Sequence, residues 1–222
     1  MKKIFVLALS LFAAVSAFSA VEAKEKNVKN KPAKEIVLQK ADFSKGKTVL
    51  QAMLDRHSSR EFSDRQLDIR TLSELLWAAG GINREDTGGM TAPTAMNYKE
   101  ITIYAFLKDG VYLYEPKENK LVLAVEGDKR AAAGMQDFVA GAAVNLVYVS
   151  DMAKMKGDDD DRNMTMTAVD VGHVSENVYL YCASEDLACV TRAFIDAGAI
   201  SKLLNLKESQ KVILSQSAGY KK

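Results

Sequence analysis

The sequence predicts an α+β fold, a class in which helices and strands are grouped along the chain and do not strictly alternate. Two β-rich runs flank the Asp109-Gly110 pair, which is typical of an antiparallel hairpin. Helical periodicity occurs on both sides of this hairpin, and the apolar run over residues 143–149 suits a buried strand. These three observations favour helices packed on a sheet.

The first 23 residues have the pattern of a secretory signal peptide. Lys2 and Lys3 precede an apolar run, and small residues at positions 21 and 23 predict cleavage after Ala23. A transmembrane anchor is the alternative, but the apolar run is slightly short of the about 20 residues that span a bilayer. We therefore expect a secreted or periplasmic protein that begins at Lys24.

The rest of the chain divides into a lead-in and one domain. Residues 24–45 contain many Lys, Glu and Asn residues, which predicts a flexible N-terminal lead-in, and residues 46–222 have the length of a single domain. Residues 1–23 carry two lysines and one glutamate, so their removal takes the formal net charge from +1 to zero. A neutral chain lacks the basic surface that binds nucleic acid or anionic membranes, and any anion site must be local.

Apolar spacing predicts the two helices that precede the hairpin. The first begins near Thr48 and runs to about His57. The second has Asp68 as a plausible N-cap and ends at Gly80-Gly81. A polar loop over residues 84–96 follows. Trp77 lies beside the apolar stripe of the second helix, so we expect it in the core or an interface.

Further strands and helices are predicted after this loop, and the last of them is a strand. We predict three strands, over about residues 101–106, 111–114 and 121–125, and then an alanine-rich helix around residues 129–139. The buried strand follows, and after it a long helix over about residues 166–184 and a strand over 187–194. A helix capped by Asp196 and a last strand over 211–217 complete the chain. The long helix has an apolar face and a second face of smaller residues. Such a helix suits the centre of a dimer, where both faces are covered.

The chain has two cysteines, Cys182 and Cys189, and two histidines, His57 and His173. Their spacing is not that of a metal site, and we expect no metal. An oxidising compartment permits a disulfide, but one cysteine falls in a helix and the other at the start of a strand, so we favour buried free thiols. The acidic run 158–161 lacks the glycine and terminal glutamate of a calcium loop, which favours a solvated loop.

Residues 55–62, at the end of the first helix, read Asp-Arg-His-Ser-Ser-Arg-Glu-Phe. Arg56 and Arg60, with hydroxyls between them, offer the charged donors that a phosphate dianion prefers. Arginines four residues apart also occur on solvated surfaces, so this segment alone is a weak signal. The chain has no GxGxxG or GxxxxGK segment, and a dinucleotide cradle or P-loop is not supported.

Further motifs follow at fixed places along the chain. Ala-Pro-Thr-Ala-Met-Asn occupies residues 92–97, Asp-Gly-Val-Tyr-Leu-Tyr-Glu-Pro occupies 109–116, and Gly219-Tyr220 lies near the end. Residues 170–180 and 185–189 form the long helix and the beginning of the next strand. In order and spacing, from about residue 48 to 220, this series resembles the nitroreductase family, close to its azoline-oxidising dehydrogenase branch.

The resemblance implies a nitroreductase-like fold, with a central, mostly antiparallel sheet flanked by helices in an intertwined homodimer that binds FMN between its subunits. The cofactor-binding residues that it implies are Arg56, Ser58 and Arg60 on the ribityl phosphate, His57 within the same motif, Asn97 on the isoalloxazine edge, and the backbone at Val190 and Thr191 beside N5. We expect His57 to be a structural part of its motif and His173 to serve packing or an interface. Asn97 has an alternative role as a turn residue after Pro93.

Two features depart from the family pattern. The family often has small residues where this chain has Val190-Thr191-Arg192-Ala193, which puts the contact with N5 in doubt. Many members also place a basic residue well past the last strand to complete the phosphate site. This chain stops at Lys221-Lys222, so these two lysines are candidates for that role.

The resemblance implies an FMN-dependent oxidoreductase that transfers two electrons, as hydride, to or from small flat acceptors such as nitroaromatics or quinones. No catalytic side chain is needed, because the flavin carries the chemistry. A dehydrogenase or reductive dehalogenase on the same scaffold is one alternative. A flavin- or tetrapyrrole-binding protein without turnover is another.

Overall fold

The computed structural model describes residues 32–157 and 160–222. The predicted signal peptide, the first part of the lead-in and Asp158–Asp159 lie outside the described residues. The described elements are β1 (Glu35–Val37), α1 (Val49–Asp55), α2 (Ile69–Gly80), β2 (Ile82–Arg84), β3 (Gly89–Met90), β4 (Ile101–Phe106), β5 (Gly110–Glu115), β6 (Lys120–Glu126), β7 (Val144–Asp151), α3 (Asp160–Ser184), β8 (Leu187–Arg192), α4 (Ala197–Leu203) and β9 (Gln210–Tyr220). Within this part of the chain, no helix is long and apolar enough to cross a membrane.

The main sheet has seven strands in the order β1-β6-β5-β4-β7-β9-β8, and each described neighbour pair is antiparallel. The predicted α+β class and the hairpin at Asp109-Gly110 are therefore confirmed. Seven of the eight residues of β7 are buried, because neighbouring strands lie on both of its sides and other parts of the chain cover both of its faces. β8 lies at an edge of the sheet and leaves one side of its backbone open to other groups.

Helices α2 and α3 cover one face of the sheet. Asp68 caps α2, since its carboxylate accepts a hydrogen bond from the Thr71 backbone at 3.0 Å, as predicted. The buried stripe of α3 recurs at helical spacing: Val171, Val174, Val178 and Cys182. These side chains join the largest apolar cluster, which includes Leu75, Tyr112 and Tyr148. The second, smaller-residue face of α3 is only partly covered within the chain, because Val169 and Gly172 are exposed while Tyr179 and Ala183 are half-buried.

The opposite face of the sheet lies under α4 and two short 3₁₀ segments, Arg130–Ala133 and Asp137–Gly141. The predicted alanine-rich helix around residues 129–139 is thus wrong. Gly134 is fully extended between the two segments and breaks the helix. Arg130 is buried and donates to the carbonyl oxygen of Ala142 at 2.9 Å, which holds the chain against the sheet in place of continuous helical hydrogen bonds.

Several boundaries also differ from the predictions. A strand, β1, lies within the expected lead-in and pairs with β6, and Leu38 after it is buried, because Ile36 to Leu38 form a short apolar run. The loop over residues 84–96 includes part of a small hairpin, β2–β3. Helix α1 ends two residues before His57, α3 reaches back to Asp160, and β9 extends to Tyr220.

Candidate functional site

The segment that follows α1 lies against the edge of the sheet. The helix ends at Asp55, and the backbone of the next residue, Arg56, is extended, so the chain leaves the helix axis there. The Ser59 backbone then donates to the carbonyl oxygen of Cys189 on β8 at 2.8 Å. Three residues later Phe62 forms a β-bridge with Lys221. Residues 56–60 are thereby held beside β8, the strand that the resemblance assigned to the flavin.

Arg56, Ser58 and Arg60 lie together on this segment and reach solvent. The Arg56 guanidinium lies 5.5 Å from the ring centroid of Tyr179, which is a cation–π contact. The Ser58 hydroxyl is 2.9 Å from the Tyr179 hydroxyl. Arg60 is exposed, and its side chain has no ion pair or hydrogen bond among the described residues. Two guanidinium groups and a hydroxyl within five residues form a donor set that suits a phosphate group.

His57 belongs to the same segment but faces a different neighbour. Its Nδ1 is 2.8 Å from the carbonyl oxygen of Asp55, and since a carbonyl can only accept, Nδ1 carries the proton. The ring lines a cavity of about 250 Å³, together with Tyr179, Cys182, Cys189 and Lys221. The structural role expected for His57 remains a prediction.

Val190 and Thr191 lie on β8, but their environments differ. Val190 is 1% exposed, so its side chain is part of the core. The Thr191 backbone N–H donates to the Tyr179 hydroxyl at 2.8 Å, and the Thr191 and Ser175 hydroxyls are 2.6 Å apart. A flavin that takes a hydrogen bond from this N–H would have to replace the tyrosine. The assignment of N5 contacts to Val190 and Thr191 remains a prediction.

Arg192 is a buried cation that sequence reasoning treated only as a departure from the family pattern. It is 5% exposed and donates to the hydroxyls of Ser215 and Ser217, both at 2.6 Å. It has no carboxylate partner among the described residues, and its Nε is buried without a hydrogen bond. Burial away from water lowers the pKa of Arg192 to about 10, so the group stays charged at neutral pH. A permanent positive charge therefore lies at the end of β8.

The segment around Asn97 has an unusual backbone. Met96, Asn97 and Lys99 have φ angles of 49°, 58° and 52°, in the left-handed region that residues other than glycine seldom adopt. The Ala95 backbone N–H donates to the Asp170 carboxylate at 2.7 Å and holds the segment on α3. Such strained conformations occur most often at binding and catalytic sites. Asn97 itself is exposed and free to meet a ligand.

A buried carboxyl, Glu100, adjoins this segment and was missed in the sequence. It is 0% exposed, and neither of its carboxylate oxygens has a hydrogen-bond partner among the described residues. Burial, together with the neighbouring Asp170 carboxyl, raises the pKa of Glu100 to about 7. Asp170 is also buried, and the exposed His173 lies 3.9 Å from its carboxylate. The only sequence signal was a glutamate directly before a β-rich run.

The structure brings some of the predicted residues together but not all of them. Arg56, Ser58 and Thr191 all contact Tyr179 at the edge of the sheet. Arg60 follows two residues after Ser58 with an exposed side chain. The segment that carries Asn97 is held on α3 by the hydrogen bond from Ala95 to Asp170. Asp170 lies nine residues before Tyr179, which is about 14 Å along a helix.

Of the remaining residues, Lys221 and the two cysteines line the 250 Å³ cavity. Lys221 pairs with Asp186, so its charge is partly neutralised, while Lys222 is exposed. Both cysteines are buried free thiols, as favoured, and burial raises the pKa of Cys182 well above its usual value. Among the described residues, no group of three metal-binding side chains converges on one point.

Comparison with known proteins supports the resemblance. The chain is 30% identical, over 166 residues, to a protein of Methanocaldococcus jannaschii named as a nitroreductase, and the match covers 70% of this chain and 83% of that one. A crystal structure of a protein from Ralstonia eutropha, also named as a nitroreductase, has 36% identity and a TM-score of 0.81, covering 86% and 90% of the two chains.

A more distant structure, the NADPH:FMN oxidoreductase of Vibrio harveyi, has 20% identity and a TM-score of 0.59, and the match covers 79% of this chain and 69% of that chain. It shares the fold. The model of the nitroreductase family matches residues 53–220. This match runs from α1 to the end of β9 and includes both parts of the candidate site. With this match the resemblance becomes an assignment: the chain belongs to the nitroreductase family.

Proposed function

We propose that the protein is an FMN-dependent oxidoreductase that exchanges two electrons, as hydride, with small flat acceptors such as quinones or nitroaromatics. The observation that carries the proposal is the donor set of Arg56, Ser58 and Arg60 beside β8. The Vibrio relative named as an NADPH:FMN oxidoreductase lends support, because it has the same fold. When bound, FMN would supply the redox chemistry, and the protein would bind and orient it.

The donor set fits the phosphate end of FMN. Arg60 has no competing partner among the described residues, and Arg56 is held by an aromatic ring, which leaves its N–H groups available. Asn97 would contact the ring edge. The buried charge of Arg192, behind the strand expected to approach N5, would favour the more negative, reduced flavin.

An absorbance experiment tests the proposed activity. We expect protein incubated with FMN to keep a flavin spectrum after gel filtration, to bleach with dithionite and to recover colour anaerobically with a quinone or a nitroaromatic compound. A colourless protein that takes up no FMN would refute the proposal. Bound flavin that no acceptor reoxidises would favour the alternative of a flavin-binding protein without turnover.

We also propose that the active form is a homodimer. Four large apolar side chains of α1 are exposed in one chain: Val49, Leu50, Met53 and Leu54. Val169 on α3 is 52% exposed as well. An apolar surface of this kind is typical of an interaction site. A second copy of the chain would cover it and also the face of α3 that the chain leaves open.

Charge placed on this surface should prevent dimerisation. We expect wild-type protein to have a dimeric mass by light scattering and the Leu50→Glu, Leu54→Glu double variant to be monomeric, because glutamates would be buried in the interface. Met135→Glu, at an exposed apolar residue on another part of the chain, is the control and should stay dimeric. A wild-type monomer with flavin fully bound would contradict the proposal.

The N-terminal pattern leads us to propose export and an unusual electron donor. Outside the cytoplasm metabolism does not maintain free NADH or NADPH, and a neutral chain does not attract these anions over long distances. We expect slow reduction of the bound flavin by NAD(P)H and faster reduction by a quinol, another small organic donor or a redox protein. Anaerobic stopped-flow reduction at about 10 s⁻¹ or faster with micromolar NADH would contradict this. An intact mass of the secreted or periplasmic form that still includes residues 1–23 would contradict the predicted cleavage after Ala23 and the export that rests on it.

A further inference from the structure

Tyr179 occupies the junction between the 56–60 segment and β8. It lies on α3 and is half-buried. Its hydroxyl oxygen is 2.8 Å from the Thr191 backbone nitrogen and 2.9 Å from the Ser58 hydroxyl oxygen. Its ring lies under the Arg56 guanidinium, at 5.5 Å from the centroid. One side chain therefore contacts two residues of the donor set and the strand behind them.

The direction of the hydrogen bond from Thr191 is fixed by the groups involved, and between the two hydroxyls we infer the direction that uses the protons of both. A backbone N–H can only donate, so the Tyr179 oxygen accepts from Thr191. The tyrosine has one proton of its own, and donating it to the Ser58 oxygen satisfies both hydroxyls. The Ser58 proton is then not used within the chain. Because Ser58 is exposed, that proton can point to a ligand.

We propose that Tyr179 is a positioning residue for the anion site. It turns the Ser58 hydroxyl into an outward donor, holds Arg56 beside it, and links both to the backbone of β8. The inference rests on the proposed function, because the anion is the phosphate of FMN. A row of hydrogen bonds that runs in one direction, from Thr191 through Tyr179 and Ser58 to an anion, strengthens each of its members.

The tyrosine hydroxyl should therefore affect phosphate binding more than ring binding. Tyr179→Phe removes the hydroxyl and keeps the ring under Arg56. We expect its dissociation constant for FMN to rise about five- to thirtyfold, the effect of losing a favourable hydrogen bond. Riboflavin has the same ring system without the phosphate, and its dissociation constant should change much less than that of FMN.

Fluorescence titrations of FMN and riboflavin against dimeric protein measure both constants. Tyr181→Phe is the matched control, because it removes the same group from the same helix. The Tyr181 hydroxyl donates to Glu74 at 3.0 Å, away from the 56–60 segment, so this variant should bind both ligands as the wild type does. If Tyr179→Phe loses affinity for FMN and for riboflavin equally, Tyr179 has a merely structural role and the inference is overturned. Unchanged affinity of this variant for FMN would also overturn it.

A double-mutant cycle separates positioning from direct contact. If Tyr179 acts through Ser58, Tyr179→Phe should have little further effect on FMN binding in protein that already carries Ser58→Ala. Fully additive losses would overturn the inference. Wild-type protein that binds FMN no better than riboflavin would instead show that the proposed phosphate site itself is wrong.

Discussion

Replacement of Arg56 or Arg60 by alanine is expected to raise the dissociation constant for FMN about ten- to a hundredfold. A hydrogen bond to a charged group contributes roughly 1.5–3 kcal/mol, which corresponds to this range. Arg60 is exposed and has no partner among the described residues, so its removal should leave the free energy of unfolding nearly unchanged. Any loss of affinity would then reflect the missing contact with the ligand.

Arg65→Ala is the control for both variants. Arg65 is another exposed arginine a few residues further on, and its guanidinium stacks 3.9 Å from the Tyr220 ring centroid. The control changes the net charge equally, so a general electrostatic effect would weaken FMN binding in all three variants. If Arg56→Ala and Arg60→Ala both bind FMN as the wild type does, the phosphate site is misplaced.

Glu100→Gln should remove a large pH dependence of stability. The carboxyl has a pKa of about 7 in the folded protein, against an ordinary value of 4.5. Since the pKa is raised on folding, its contribution to stability is fully present below about pH 4.5 and is lost as the pH rises through 7. A shift of this size corresponds to about 3 kcal/mol. Glutamine at this position has no proton to lose.

Urea unfolding at pH 5 and pH 9 measures this effect. Relative to Glu100→Gln, the wild type should lose about 2.5 kcal/mol of unfolding free energy between the two pH values, because part of the effect is already lost at pH 5. Other ionisable groups are common to both proteins and cancel in the comparison. Glu126→Gln, at an exposed position, should behave as the wild type does. Parallel pH curves for wild type and Glu100→Gln would show that Glu100 is not held protonated by burial.

Much of the fold follows from local patterns. The Asp68 cap, the Asp109-Gly110 turn and the apolar stripe of α3 each place the decisive residues within a few positions of one another, and all three were predicted. The 3₁₀ segments after β6 were not, because alanines favour a helix locally while buried Arg130 and extended Gly134 hold this stretch against the sheet. Strand β1 was missed because its stability comes from pairing with β6.

In the candidate site, too, some residues could be predicted from local sequence and others could not. Arg56, Ser58 and Arg60 are close in sequence, and their donor chemistry is visible there. Tyr179 contacts Ser58 across 121 positions of the chain, and Glu100 meets Asp170 only through the packing of α3 against the start of β4. Arg192 is buried by contacts with Ala133 and with Ser215 and Ser217 of β9, which are distant in the sequence. Such roles depend on tertiary contacts, which no local pattern carries.

The central claim is that the 56–60 segment binds the phosphate of FMN. Its most direct test is a comparison of the dissociation constants of FMN and riboflavin for the wild-type protein, since the two ligands differ only in that phosphate. We expect FMN to bind at least about tenfold more tightly than riboflavin, because riboflavin lacks at least one hydrogen bond between a charged group and the phosphate. Arg56→Ala should reduce this difference in affinity. Equal affinity for the two flavins, or no binding of either, would contradict the claim.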